Sequence, residues 1–288
     1  MTACPEPSPP TAVTLRRVAL AASVLFDVDL VPDDDGVVLP GPPDVHVAWL
    51  QLRRAMAGHD PDGATARERV ACWLLGRRWV ADVDPDDLSA RARPLGLPVD
   101  HVLHPGLDWV EMRVLGGALD VGLGFVGLDP RRPDDVVPLT RELLAEPAVA
   151  VEPLWRGAVA YLERMGAMAA DRLDRQPAAP LRPMGDCDVV TLLASATFRS
   201  ALAAGAQGMR ALAVPMRTRG WLDLSRIDPA FVVAAAAATE PADRGFNRPL
   251  LLTRDEVTLS LEGGRPAEIV LRDPPPQRQW LRDVLYHR

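Results

Sequence analysis

Apolar and polar positions change period several times along the chain, and each change predicts an element. From Glu152-Pro153 to about Arg175, Trp155, Val159, Leu162, Met165 and Ala169 recur at helical spacing, which predicts a long helix with one buried stripe. WVEMRVLGGALDVGLGFVGL (109–128) reads as two strands around Gly116-Gly117, a hairpin. Near the C-terminus, PLLLT (249–253), VTLSL (257–261) and AEIVL (267–271) are separated by turn residues and predict a three-stranded antiparallel meander. A short last helix bearing Trp280 and Leu281 follows. Val13 to Val28 fits two patterns: its dense Ala favours helix, while SVLFDVDLV would serve as a buried strand.

Local signals place further helix starts. Asp44 reads as the N-cap of a helix through Val45, Trp49, Leu52 and Met56. Thr65 and Glu68 have the spacing of a capping box for a helix running to about Val80. Asp84-Pro85-Asp86-Asp87 combines an N-cap, a proline at the first helical position and first-turn carboxylates. Asp188 to Ala204 reads as one helix. Helices alternate with local hairpins and no regular βαβ rhythm, so the expected fold is α+β. The expected division is a disordered tail (1–11), a mixed helical region with the central hairpin (12–175), and an α+β region with the C-terminal meander (186–288). Residues 176–185, rich in proline, form the candidate linker, and one continuous domain is the alternative.

Composition then narrows the chemistry. All 32 cationic side chains of the 288 residues are Arg, and there is no Lys. Asn247 is the single Asn, and Ile227 and Ile269 are the two Ile, a bias that points to a GC-rich, bacterial genome. Without Lys there can be no Walker A loop, no kinase strand lysine, no pyridoxal or Schiff-base lysine and no SxxK acyl enzyme. A formal charge of −7 argues against a duplex-binding face. Two of the four Arg-Arg pairs fall on expected helices and read as solvated faces. Three cysteines with no CxxC suggest neither a disulfide framework nor a zinc site, and fit a reducing cytoplasm. No apolar run is long enough for a membrane span.

Three constellations could carry chemistry. Gly122-Leu-Gly124-Phe-Val-Gly127 matches GxGxxG, but Pro130 and Pro133 stand where a dinucleotide site needs its helix, so these glycines read as relief of crowding in a strand. His101 and His104, with Asp108 and Glu111 downstream, could gather around a metal from a loop set by Pro98, Pro105 and Gly106. SVLFDVDLV (23–31), an apolar run into Asp27-Val28-Asp29, resembles the first motif of haloacid dehalogenase-like phosphatases. MGDCD (184–188) is similar to that family's metal-binding segment. The resemblance implies a Mg²⁺-dependent phosphoesterase, with Asp27 as nucleophile, Asp29 as acid/base, and Asp186 and Asp188 toward the metal. This chain has Leu30-Val31 where the family has Gly-Thr, and an Arg such as Arg175 or Arg182 would have to replace its phosphate-neutralising Lys. Cys187, between two carboxylates, reads as a structural thiol. The reading that remains is a cytoplasmic, non-catalytic binding or regulatory component acting through a protein partner or self-association. A phosphoesterase and a metal-binding protein are the alternatives.

Overall fold

The computed structural model describes residues 10–127, 136–145, 149–177, 179–204, 210–222, 229–252 and 257–259. In chain order these form α1 (Ala12–Phe26), β1 (Val31–Pro32), β2 (Gly36–Leu39), β3 (Val45–Ala48), α2 (Trp49–Ala55), α3 (Ala64–Asp82), α4 (Pro85–Arg91), β4 (Ala92–Pro98), β5 (Val110–Val114), β6 (Leu119–Val126) and β7 (Val136–Pro138). There follow α5 (Arg141–Ala145), α6 (Val151–Arg175), α7 (Val189–Leu192), α8 (Ala196–Ala203), β8 (Arg210–Met216), β9 (Arg219–Leu222), α9 (Pro229–Ala238), β10 (Leu250–Leu252) and β11 (Val257–Leu259). The fold is α+β, with antiparallel sheets ordered β1-β2-β3, β4-β6-β5 and β11-β10-β8-β9. β10 and β11 pair as the C-terminal pattern predicts, and β10 also pairs β8. The third predicted strand (267–271) and the last helix lie outside the described residues.

α1 resolves the ambiguous N-terminal stretch as helix. Thr11 caps it by accepting from the Thr14 N–H, and Leu15, Val18, Ala19 and Ala22 form its buried side. Val13, Leu20 and Val24 are exposed at spacings of seven and four, so the helix is apolar on its outer side too. The helix expected from Asp44 begins later. Val45 and Val47 are buried while His46 and Ala48 are exposed, a period of two that pairs with β2, and helix starts only at Trp49. Asp44 accepts from the Gly41 N–H instead. Thr65 is not the N-cap of the expected box, because α3 starts two residues earlier, with Gly63 at the N-cap position. Asp84 does cap α4, accepting from the Asp86 N–H. The helix expected over 188–204 breaks into α7 and α8 at Ser195, whose hydroxyl accepts from the Phe198 N–H.

β6 is the centre of the molecule. It pairs β4 along one edge, and β5 and then β7 along the other. Seven of its eight residues are buried. On one face Leu123 and Phe125 join the core built on α1 and α3, while Leu119 and Val121 join the core of α6, α7 and α8. The opposite face carries Asp120, Gly122 and Gly124, and there the GxGxxG glycines find their reason. A Cβ on Gly122 would lie 2.5 Å from the Trp109 ring, and one on Gly124 would lie 2.4 Å from the Val136 side chain. Trp109 is 2% exposed, and its indole N–H donates to the Leu123 carbonyl at 2.6 Å. Residues from both sides of 176–185 share one cluster, with Leu162 and Met165 against Val189 and Leu192.

Two glycine substitutions test this packing in opposite directions. Gly122→Ala should lower stability by about 1–3 kcal/mol, because the Trp109 ring has no room to retreat. Gly157→Ala, in α6 with nothing within 4 Å of the added carbon, should raise stability by about 0.5–1 kcal/mol. Urea unfolding measures both. An unchanged midpoint for Gly122→Ala would show that the ring does not rest on this glycine.

Candidate functional site

A cleft of about 580 Å³ opens between the end of α2, one face of α3, the 103–110 segment and the residues around α5. α3 contributes Arg69, Cys72 and Trp73, which share a face because they are three and four residues apart. Trp109 stands opposite, fixed by its bond to β6. Leu107 and Asp108 are exposed at the mouth, as is Arg54 at the end of α2. Arg141 pairs with Glu111 at 2.5 Å. Among the described residues the lining holds a thiol (Cys72), a hydroxyl (Thr140) and two carboxylates (Asp108, Glu142), and no imidazole.

Arg69 organises this space. It is 8% exposed. Its Nε donates to the Ala55 carbonyl at 2.9 Å, and its Nη1 donates to the Val102 and His104 carbonyls at 2.8 and 2.9 Å. One guanidinium therefore ties α2, α3 and the 101–106 loop together. No carboxylate among the described residues pairs with it. Burial lowers its pKa, with a small opposing influence from Cys72.

Behind the cleft lies a charged cluster on the glycine face of β6. Asp120 is wholly buried and accepts from Arg113 at 2.5 and 2.7 Å. His104 Nε2 lies 3.1 Å from the same carboxylate. The Gly106 N–H donates to His104 Nδ1, which puts the proton of the neutral ring on Nε2, facing Asp120. The ring also meets the Trp109 indole edge to face, with centroids 5.5 Å apart. Burial raises the Asp120 carboxyl, but the Arg113 and His104 contacts outweigh it and hold it below its usual value. Burial, joined by the Arg69 and Arg113 charges, lowers the His104 imidazole against the raising influence of Asp120.

The residues singled out in the sequence are placed as follows. Asp27 is the left-handed C-cap of α1 (φ 57°), so the apolar strand that the phosphatase resemblance needs is a helix. Asp27 and Asp29 are exposed on either side of buried Val28. Asp186 accepts from Arg93 at 2.5 Å and from the Tyr161 hydroxyl at 3.1 Å. Asp188 caps α7 through the Thr191 N–H and accepts from Arg217 at 2.6 Å. Both carboxylates are thus neutralised by arginine, and among the described residues no three His, Cys, Asp or Glu side chains group as metal ligands. His101 and His104 share a loop, but His104 has both ring nitrogens engaged, and His101 Nδ1 accepts from the Leu103 N–H. Cys187 is 0% exposed. Burial pushes its thiol pKa up, and Asp188 and Asp186 push the same way. Arg77, expected on a solvated face, is 3% exposed, with its guanidinium 5.7 Å from the Trp73 ring centroid.

Sequence reasoning missed Arg69, Arg113, Trp109 and Asp120. One signal was available: Ala66, Val70, Trp73, Arg77 and Val80 recur on the buried side of α3, and Arg69 adjoins that stripe. An arginine on an apolar stripe is a polar group with a buried task. Comparison with protein-family models, with curated proteins and with solved structures finds no match. Among the described residues no helix is long and apolar enough to cross a membrane.

Two measurements follow from the site's environment. Burial, then the Arg217 charge, lowers His101 from 6.5 to about 3, against weaker raising contacts with the Ala242 and Arg244 backbone. Its folded pKa lies below its unfolded one, so the unfolded chain takes up the proton first. Stability should fall as pH drops through 6.5 toward 3, by at most about 1.4 kcal/mol per pH unit from this group. His101→Asn keeps an acceptor for Leu103 and should flatten that slope in urea titrations, whereas an unchanged slope would assign it elsewhere. Separately, iodoacetamide should alkylate Cys72, which lines the cleft, and leave Cys187 intact in the folded protein. Peptide mass mapping reads both, and faster labelling of Cys187 would contradict this picture.

Proposed function

We propose that the chain is a non-catalytic binding component that works through contacts with another protein, and that the cleft is where the contact is made. The observation that carries this reading is the composition of the cleft. Trp73 and Trp109 wall it, arginines line it, and Leu107 stands 71% exposed at its mouth. Leu50, 46% exposed, lies one turn before Arg54 on α2. Trp and Arg dominate the energetics of protein interfaces, and an apolar rim around a pocket is a surface that water covers poorly. A second reading, self-association, draws on the outer side of α1, where Val13 and Val24 are 79% and 81% exposed.

Fluorescently labelled pools of short peptides, titrated with the intact protein, test the cleft. A subset of pools should bind saturably, and Leu107→Asp should weaken that binding about tenfold or more without changing the melting curve. Absence of binding in every pool, or binding indifferent to Leu107→Asp, would overturn the reading. Sedimentation with Val24→Asp addresses α1, where loss of a wild-type dimer would favour the second reading.

A further inference from the structure

We infer that Arg69 is a receptor for a carboxylate, so that the group entering the cleft is a single negative charge carried on an apolar body. The inference rests on the reading above only for where that carboxylate comes from.

A guanidinium has five N–H donors. Arg69 spends the one on Nε on Ala55 and the two on Nη1 on Val102 and His104. Two remain, both on Nη2. That nitrogen takes no partner from the described residues, and it is not among the polar atoms sealed from solvent without a partner. Arg69 lines this cleft, so the remaining donors have the cleft as their outlet. Among the described residues no carboxylate compensates the charge they carry. Arg93, Arg113 and Arg217 each meet an aspartate at 2.5–2.6 Å, whereas Arg69 meets only carbonyl dipoles. A buried cation held by dipoles alone attracts an anion strongly, because little water screens it.

The neighbouring charges select a monoanion. Arg141 is paired with Glu111, and Arg54 at the mouth is exposed, with Asp108 also exposed there. Glu142 faces Gln51 at 3.5 Å. A carboxylate that reaches Arg69 cancels one charge with one charge. A phosphate dianion would carry its second charge past Asp108 and Glu142. Between the mouth and Arg69 the walls are Trp73, Trp109, Leu103 and Pro105, which suit an apolar or aromatic body, and 580 Å³ is within the range that encloses one.

The test uses the intact protein and the alkylation of Cys72, one turn of α3 from Arg69. Phenylacetate should slow that alkylation saturably, and neutral phenylacetamide, of the same shape, should need at least about tenfold more to do so. Arg69→Met should abolish the difference between the two. Because that variant also removes three structural hydrogen bonds, the acid–amide comparison in the wild-type protein decides the matter if it fails to fold. Equal protection by acid and amide, or protection by neither, would overturn the inference, as would tighter binding of phenyl phosphate. Peptides that bind regardless of acidic groups, with acid and amide equal, would sink the carboxylate and leave the protein reading standing. Phenylacetate protection without any peptide binding would do the reverse. Amidated peptides containing Asp or Glu, set against free-acid peptides lacking both, tell a side chain from a chain end as the source.

Discussion

The contact between Trp109 and the glycine face of β6 is the constraint on which the rest of the site depends. The indole occupies the room that Gly122 leaves, and its N–H reaches the Leu123 carbonyl on the same strand. That carbonyl also accepts from the Leu139 N–H. One oxygen therefore anchors both the segment entering β5 and the segment leaving β7. Once the indole is fixed, His104 has a ring to lean on, Asp120 is roofed over, and the cleft acquires its inner wall. A side chain at 122 would not merely crowd a strand. It would displace the residue from which the cleft is built.

Arginine takes on tasks here that lysine could not perform. A guanidinium presents donors in a planar fork, so Arg69 can hold three carbonyls from two separate segments at once. Arg93 shows the same versatility: it pairs with Asp186, donates to the Ala90 and Ala92 carbonyls, and lies 4.6 Å from the Tyr161 ring centroid. An ammonium is a compact point charge without that reach. The compositional bias of the chain and the way its loops are held are consistent with each other. In a chain without Lys, the cation that is present is also the better structural tie.

What the sequence made legible follows the range of the forces involved. α6, the Asp84 cap and the β5–β6 hairpin are set by neighbours a few residues away, and each was readable. β3 was not, because Val45 and Trp49 satisfy helical spacing as well as they satisfy alternation. Pairing with β2 decided between the two. The break at Ser195 was hidden for a similar reason: Glu163, far off on α6, accepts from Ser195, Ala196 and Thr197 and so creates a helix start inside an apolar run. The site was the least legible part. Its wall takes residues from near positions 54, 70, 105 and 140, and no local pattern joins them. The paired aspartates of 27–29 and 184–188 were visible as motifs, yet arginines remote in sequence decide what Asp186 and Asp188 do.

α6 is 25 residues long, about 37 Å of continuous helix. Its first turns place Leu154 and Ala158 in the core built on α1 and α3, and its later turns place Leu162, Met165, Ala169 and Leu173 in the core of α7 and α8. Trp155 touches both. β6 bridges the same two clusters through Leu119 and Phe125. Two members thus run through both cores like shared beams, and neither cluster can lose its order while the other keeps both beams intact. The consequence is cooperativity: heat or denaturant should find one melting unit where the two clusters alone suggest two.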